Sequence, residues 1–247
     1  MKSMPPVDYT AIAKDYDLTR TANINIINLF AAEIPLDGKT ILDFGCGTGN
    51  FAHAIQTLTT AKVYGVEPSD GMREQALAKG IDARQGNHLS IPFEDCFYDF
   101  IYMTDVIHHL PDLEAMFSEL RRVLKPSGMI CILTESHRQL ETRFWVKYFP
   151  TTVAVEKERY PDIPDIINAA NTAGLGEWKT VTTDANTVFN ISEDFVKLVE
   201  NKGFSMFRLI EEQDYISGLA ALKRDFEDKV MISSCHGETL LWLKSNF

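Results

Sequence analysis

Thr40-Ile41-Leu42-Asp43-Phe44-Gly45-Cys46-Gly47-Thr48-Gly49-Asn50-Phe51 decides the fold of this chain. A short apolar run ends in an acid, and three glycines follow at alternate positions before a helix-compatible stretch begins. A glycine turn between a strand and a helix lets backbone N–H groups approach a ligand with no Cβ in the way. Any nucleotide-like ligand satisfies that much. The spacing and Asp43 narrow it. A dinucleotide fingerprint reads Gly-x-Gly-x-x-Gly, the third glycine permitting close helix–strand packing. Here Asn50 stands where that glycine belongs.

The charge argues the same way. A pyrophosphate gains nothing from a carboxylate at the end of the same strand, whereas a ligand bearing an ammonium group does. The amino acid end of S-adenosylmethionine is such a ligand. From Ile41 to Gly49 the chain resembles the first motif of the class I S-adenosylmethionine-dependent methyltransferases, in their small-molecule branch. Val63-Tyr64-Gly65-Val66-Glu67-Pro68-Ser69 resembles the second strand and its terminal acid. Ala83 to Phe93 resembles the segment that touches adenine, with Asn87 where the family commonly has Asp. Tyr98 to Leu110 and Leu120 to Ile130 resemble the later core blocks, in family order.

The resemblance implies S-adenosylmethionine as cofactor and a set of site residues. The implied cofactor set is Asp43, Gly45, Cys46, Gly47, Gly49, Glu67, Pro68, Asn87, His88 and Thr104, with Tyr16 and Arg20 folding over the methionine end. Glu67 is placed to accept from both hydroxyls of a ribose diol. Asn87 can accept from the adenine amino group through its amide oxygen. Arg20 suits the methionine carboxylate, which a guanidinium fork matches. His108 and His109 follow the fourth strand, at the carboxyl ends where open α/β sheets bind ligands, and are the candidate catalytic bases. Their alternative role is packing at the start of the next helix. Thr104 and Asp105 shape the floor of the site through backbone atoms. No metal-ligand spacing is visible.

The expected fold is α/β: a Rossmann-like, seven-stranded, mostly parallel sheet with helices on both faces, N-terminal helices and a helical insertion before the last strand. Strands are expected near 40–44, 62–67, 81–85, 98–104, 128–134 and 177–184, with Glu238 to Leu243 as the seventh. Leu113, Phe117, Leu120 and Leu124 give a helix over 112–124 one apolar face, ended by Pro126 and Gly128. The 247 residues read as a single domain, with a core of about 36–185 plus 238–247 and helical cap elements at about 7–35 and 186–237. The aromatic run at 144–149 and the stretch around Phe204, Met206 and Phe207 are candidates to wall an acceptor pocket or to pack the insertion.

Composition limits the partners. Lys and Arg total 24 against 35 Asp and Glu, a net charge of −11, which argues against nucleic acid as substrate. Cys46, Cys96, Cys131 and Cys235 stand far apart, which excludes an iron–sulfur radical site or a zinc ribbon. No apolar stretch reaches membrane-spanning length and the first residues lack the pattern of a signal peptide, so the expected location is the cytoplasm, without membrane attachment. Oligomeric state is not legible. The expected activity is methylation of O, N, C or S on a small organic metabolite. A protein that binds the cofactor without transferring methyl groups is the second reading, and an NAD-dependent oxidoreductase the third.

Overall fold

A computed structural model describes residues 21–246. Tyr16, Arg20 and the first of the two expected N-terminal helices lie outside the described residues. The chain divides into two compact units. One comprises 135–163 and 182–239; the other contains 21–134, 164–181 and 240–246 of the described residues.

The second of these carries the seven-stranded sheet. Its strands are β1 (Thr40–Phe44), β2 (Lys62–Val66), β3 (Asp82–Arg84), β4 (Tyr98–Thr104), β5 (Leu124–Thr134), β6 (Leu175–Thr182) and β9 (Thr239–Ser245). They lie in the order β3-β2-β1-β4-β5-β9-β6. The pairs β1–β2, β1–β4, β2–β3 and β4–β5 are parallel. Order reverses at β1, whose neighbours are β2 and β4, so a crevice opens at the carboxyl end of that strand. The glycine turn is there.

Helices α1 (Ile24–Glu33), α2 (Asn50–Leu58), α3 (Asp70–Ala78), α4 (Leu113–Val123) and α7 (Ile163–Thr172) belong to the same unit. Asn23 caps α1 by accepting from the Asn25 N–H, and Pro35 stands just past its end. Its apolar stripe buries Ile26, Ile27 and Phe30. Phe30 sits edge-on to Phe100 and Trp242, with ring centroids at 5.5 and 6.1 Å. Helix α4 buries Met116, Phe117, Leu120 and Val123 on one face and is capped by Asp112. It stops at Val123, ahead of the expected breakers. The chain turns extended at once, because Leu124 pairs with Tyr98, and Pro126 and Gly128 are absorbed into the irregular start of β5.

The other unit holds α5 (His137–Thr142), α6 (Thr152–Arg159), α8 (Glu193–Glu200) and α9 (Glu212–Glu227). The two helices of the expected insertion are α8 and α9. A two-stranded antiparallel ribbon brackets them, β7 (Thr187–Asn190) with β8 (Met231–Ser234), which the helical reading did not foresee. Phe149, Val199, Phe207 and Leu222 are fully buried in this unit's own core. Beside that core lies a buried ionic group. Arg143 donates to Glu135 at 2.9 Å and to Glu156 at 2.8 Å, Arg159 donates to Glu156 at 2.7 Å, and His236 Nε2 lies 2.9 Å from Glu135. Paired in this way, the buried charges compensate one another.

Candidate functional site

Three backbone features build the turn after β1. Gly45 has φ +77°, and a Cβ there would stand 2.5 Å from a Val106 methyl. Only glycine satisfies both constraints. Gly47 has φ +53° and nothing within 4 Å of where a Cβ would be, so its outer face is open to a ligand. The N–H groups of Gly45 and Cys46 both donate to the Val66 carbonyl, at 2.8 and 3.1 Å, which ties the turn to the end of β2. Gly49 then starts α2 with a left-handed residue and no side-chain cap.

Glu67 completes the cradle. It is only 7% exposed. Its Oε2 accepts from the Gly47 N–H at 2.9 Å and its Oε1 from the Ser69 N–H at 2.8 Å. Arg73 donates to the Glu67 carbonyl at 3.1 Å. Burial raises the Glu67 carboxyl above the usual range, while the two backbone donors and the Arg73 charge pull it back. Two oxygens offer about four acceptor sites, so roughly two remain for a diol.

Asp43 is deeper, at 2% exposure. The Ala52 N–H, in the first turn of α2, donates to it. Burial pushes its carboxyl up to about 7, against the pull of Tyr102 and Ala52 and with a further push from Glu67. Cys46 is buried beside it, and burial followed by the Asp43 and Glu67 charges drives its thiol far up, away from redox chemistry. Its side chain fills the space at Gly65, where a Cβ would stand 2.5 Å from Sγ.

The remaining expected residues among those described end or follow β2, β3 and β4 in the same unit. Asn87 and Ser90 form a small backbone bridge, and Asn87 Oδ1 accepts from the Leu89 N–H at 2.8 Å. The oxygen assigned to adenine thus already shapes its own loop, with one lone pair left. Pro68 is exposed and His88 partly so. After Thr104, Asp105 adopts φ +56°, an uncommon left-handed conformation for a side-chain-bearing residue. Such strain recurs at ligand-binding turns. The His108 and His109 rings lie 4.0 Å apart on the short 3-10 turn Ile107–His109. Among the described residues no group of three His, Cys, Asp or Glu is placed to hold a metal ion, and no helix is long and apolar enough to cross a membrane.

Sequence reading missed three supports of the cradle: Ser69 and Arg73, which fix Glu67, and Val106, which fills the space at Gly45. Ser69 had a signal, since it caps α3 by accepting from Met72. Arg73 and Val106 act through contacts that no spacing reveals.

Residues 42–132 match the family described as a methyltransferase domain. Those residues carry a methyltransferase domain. The chain is 35% identical over 101 residues to a sterol 24-C-methyltransferase of Pneumocystis carinii, covering 38% of this chain and 27% of that protein. It is 26% identical over 210 residues to a demethylmenaquinone methyltransferase of Staphylococcus aureus, covering 78% and 77%. The chain spans about a quarter of the length of the curated sterol methyltransferases it matches. A solved Anabaena variabilis protein, assigned to an antibiotic biosynthesis pathway as a methyltransferase, superposes with a TM-score of 0.72 at 22% identity, covering 91% of this chain and 98% of that one. That likeness establishes the methyltransferase fold. The cofactor of this family is S-adenosylmethionine.

Proposed function

We propose that the protein transfers a methyl group from S-adenosylmethionine to a small organic acceptor. The observation that carries this reading is the Glu67 carboxylate, held by the Gly47 N–H at the open side of the glycine turn. It combines a diol acceptor with a backbone cradle, and a second buried acid, Asp43, lies at the end of the neighbouring strand. When bound, the cofactor supplies an electrophilic methyl group on its sulfonium. The chain's residues bind, orient and exclude water.

Glu67 accepts from the ribose hydroxyls, and Asn87 with His88 lines the adenine side. Asp43 and Glu67 together favour the cationic amino acid end. Tyr16 and Arg20 are assigned to its carboxylate. Thr104 and the strained Asp105 carry the backbone beneath the methyl group. His109, with His108 beside it, is the proposed base wherever the acceptor must lose a proton.

The acceptor class follows from charge and kinship. A net charge of −11 disfavours a polyanion. Relatives named for a sterol and for demethylmenaquinone support an organic small molecule.

The test is incubation with methyl-labelled S-adenosylmethionine and a panel of quinols, sterols, phenols and amines, scored for labelled product and S-adenosylhomocysteine. Label on one acceptor class is the expected result. Tight S-adenosylhomocysteine binding with no transfer to any acceptor would favour the second reading, a cofactor-binding protein without transferase activity.

A further inference from the structure

Asp43 and Tyr102 are direct partners in the parallel pairing of β1 with β4. Neighbouring residues across such a ladder send their side chains to the same face of the sheet. Tyr102 is fully buried there, its ring 5.2 Å from Phe30, 5.9 Å from Phe100 and 6.4 Å from Phe51. A phenylalanine would satisfy all of those ring contacts. The hydroxyl is what needs explaining, because burying one without a partner is costly. The polar group it faces is the Asp43 carboxylate, which it approaches outside strict hydrogen-bond geometry, and no other described polar group offers it an alternative partner.

Asp43 has a second neighbour in the Ala52 N–H, which opens α2 where Gly49 provides no cap. The hydroxyl and this N–H therefore approach the same carboxylate from β4 and from α2. The charged and titratable groups around it are Glu67 from the end of β2, the Cys46 thiol from the turn and the Tyr102 hydroxyl from β4. Arg73, from α3, acts on Glu67 and Cys46. No described cation is among the groups that set the charge of Asp43 itself.

We infer that Tyr102 is a positioning residue, whose hydroxyl orients the Asp43 carboxylate and favours its ionised form when a cationic ligand arrives at the glycine turn. The inference rests on the proposed cofactor reading, since the amino acid end of that cofactor is the cation. It adds a residue that does not touch the ligand and acts through Asp43. Burial alone favours the protonated form of Asp43, which opposes an ammonium group. Lending the carboxylate a donor lowers the penalty for ionising it. Binding of the cation and loss of the Asp43 proton are then linked. Affinity falls as much as tenfold per pH unit below the point at which Asp43 titrates.

The experiment is calorimetric binding of S-adenosylhomocysteine between pH 5.5 and 8.5 to the full chain and to its Tyr102→Phe and Asp43→Asn variants. Near-ultraviolet circular dichroism at pH 5.5 checks that each variant is folded. Wild-type affinity should rise with pH to a plateau. In Tyr102→Phe the rise should move upward by about one pH unit, the order expected for losing a donor to a charged group, leaving affinity about fivefold weaker near pH 7 and largely recovered at pH 8.5. Asp43→Asn should bind weakly and with a flat profile. A Tyr102→Phe profile that superposes on wild type, or drops equally at every pH, would overturn the inference while leaving the cofactor reading intact. Absence of any binding by the wild-type chain would instead remove the cofactor reading and the inference with it.

Discussion

The Gly47 amide donates to Glu67 Oε2 at 2.9 Å, joining the open face of the turn after β1 to the acid that ends β2. The brace and the proposed diol acceptor are one carboxylate. Glu67→Ala therefore removes both functions at once. Hydrogen bonds to a charged group contribute about 1.5–3 kcal/mol each, so S-adenosylhomocysteine affinity should fall by roughly tenfold to a hundredfold. Calorimetry measures it. An unchanged dissociation constant would exclude Glu67 from the site.

Gly47→Val probes the turn itself. A β-branched residue at φ +53° is strained, and its side chain would project into the open face where the ligand is expected. Binding of S-adenosylhomocysteine should be lost while the fold persists, because nothing in the structure occupies that space. Thermal melting with and without ligand separates the two effects.

Asp43 makes stability depend on pH. Its folded carboxyl titrates at about 7, above its ordinary 3.8, so the folded chain holds a proton that the unfolded chain has released. Stability from that proton is full below the ordinary value and is lost as pH rises through 7. Each unit of difference is worth about 1.4 kcal/mol. Asp43→Asn should therefore gain stability relative to wild type as pH goes from 5 to 8. Urea unfolding at several pH values shows it. A constant difference would contradict the buried, protonated state.

Much of this site was legible because its constraints are local. Gly45 and Gly47 need positive φ, and Glu67 closes a strand at a fixed distance along the chain. The sheet was legible for a similar reason, since each buried parallel strand reads as a short apolar run. Leu124 shows where that fails: its helical spacing was genuine, but pairing with Tyr98 took it into β5. The ribbon of β7 and β8 failed differently. Its two strands lie far apart in sequence, and Val188 and Met231 are exposed, so no alternating pattern marked them. Tyr102 is legible in the sequence as a strand residue. Its hydroxyl mattered only once β1 and β4 were seen side by side.

The ionic group around Arg143 makes a separate prediction for the other unit. Arg143 has 7% side-chain exposure, between Glu135 and Glu156 at 8% and 5%. Arg143→Met removes the guanidinium shared by two buried carboxylates, leaving Glu156 to Arg159 and Glu135 to His236, and should cost about 3 kcal/mol. Replacing Arg143, Glu135 and Glu156 together by apolar residues of similar volume should cost less than the single change. Chemical unfolding of the two variants compares them.

His109 offers a kinetic test once an acceptor is known. His109→Gln should lower kcat about a hundredfold or more if the acceptor must lose a proton, with S-adenosylhomocysteine affinity unchanged. Equal kcat in both proteins would return His109 to a packing role.

The most direct measurement of the central claim is thermal melting of the full chain with S-adenosylhomocysteine and, separately, with NAD. A ligand at a hundred times its dissociation constant stabilises the native state by about 2.7 kcal/mol. For a chain of this size that corresponds to a rise of roughly 5–10 °C. The account predicts such a rise with S-adenosylhomocysteine, none with NAD, and no rise with either in Gly47→Val. A rise with NAD and none with S-adenosylhomocysteine would contradict it.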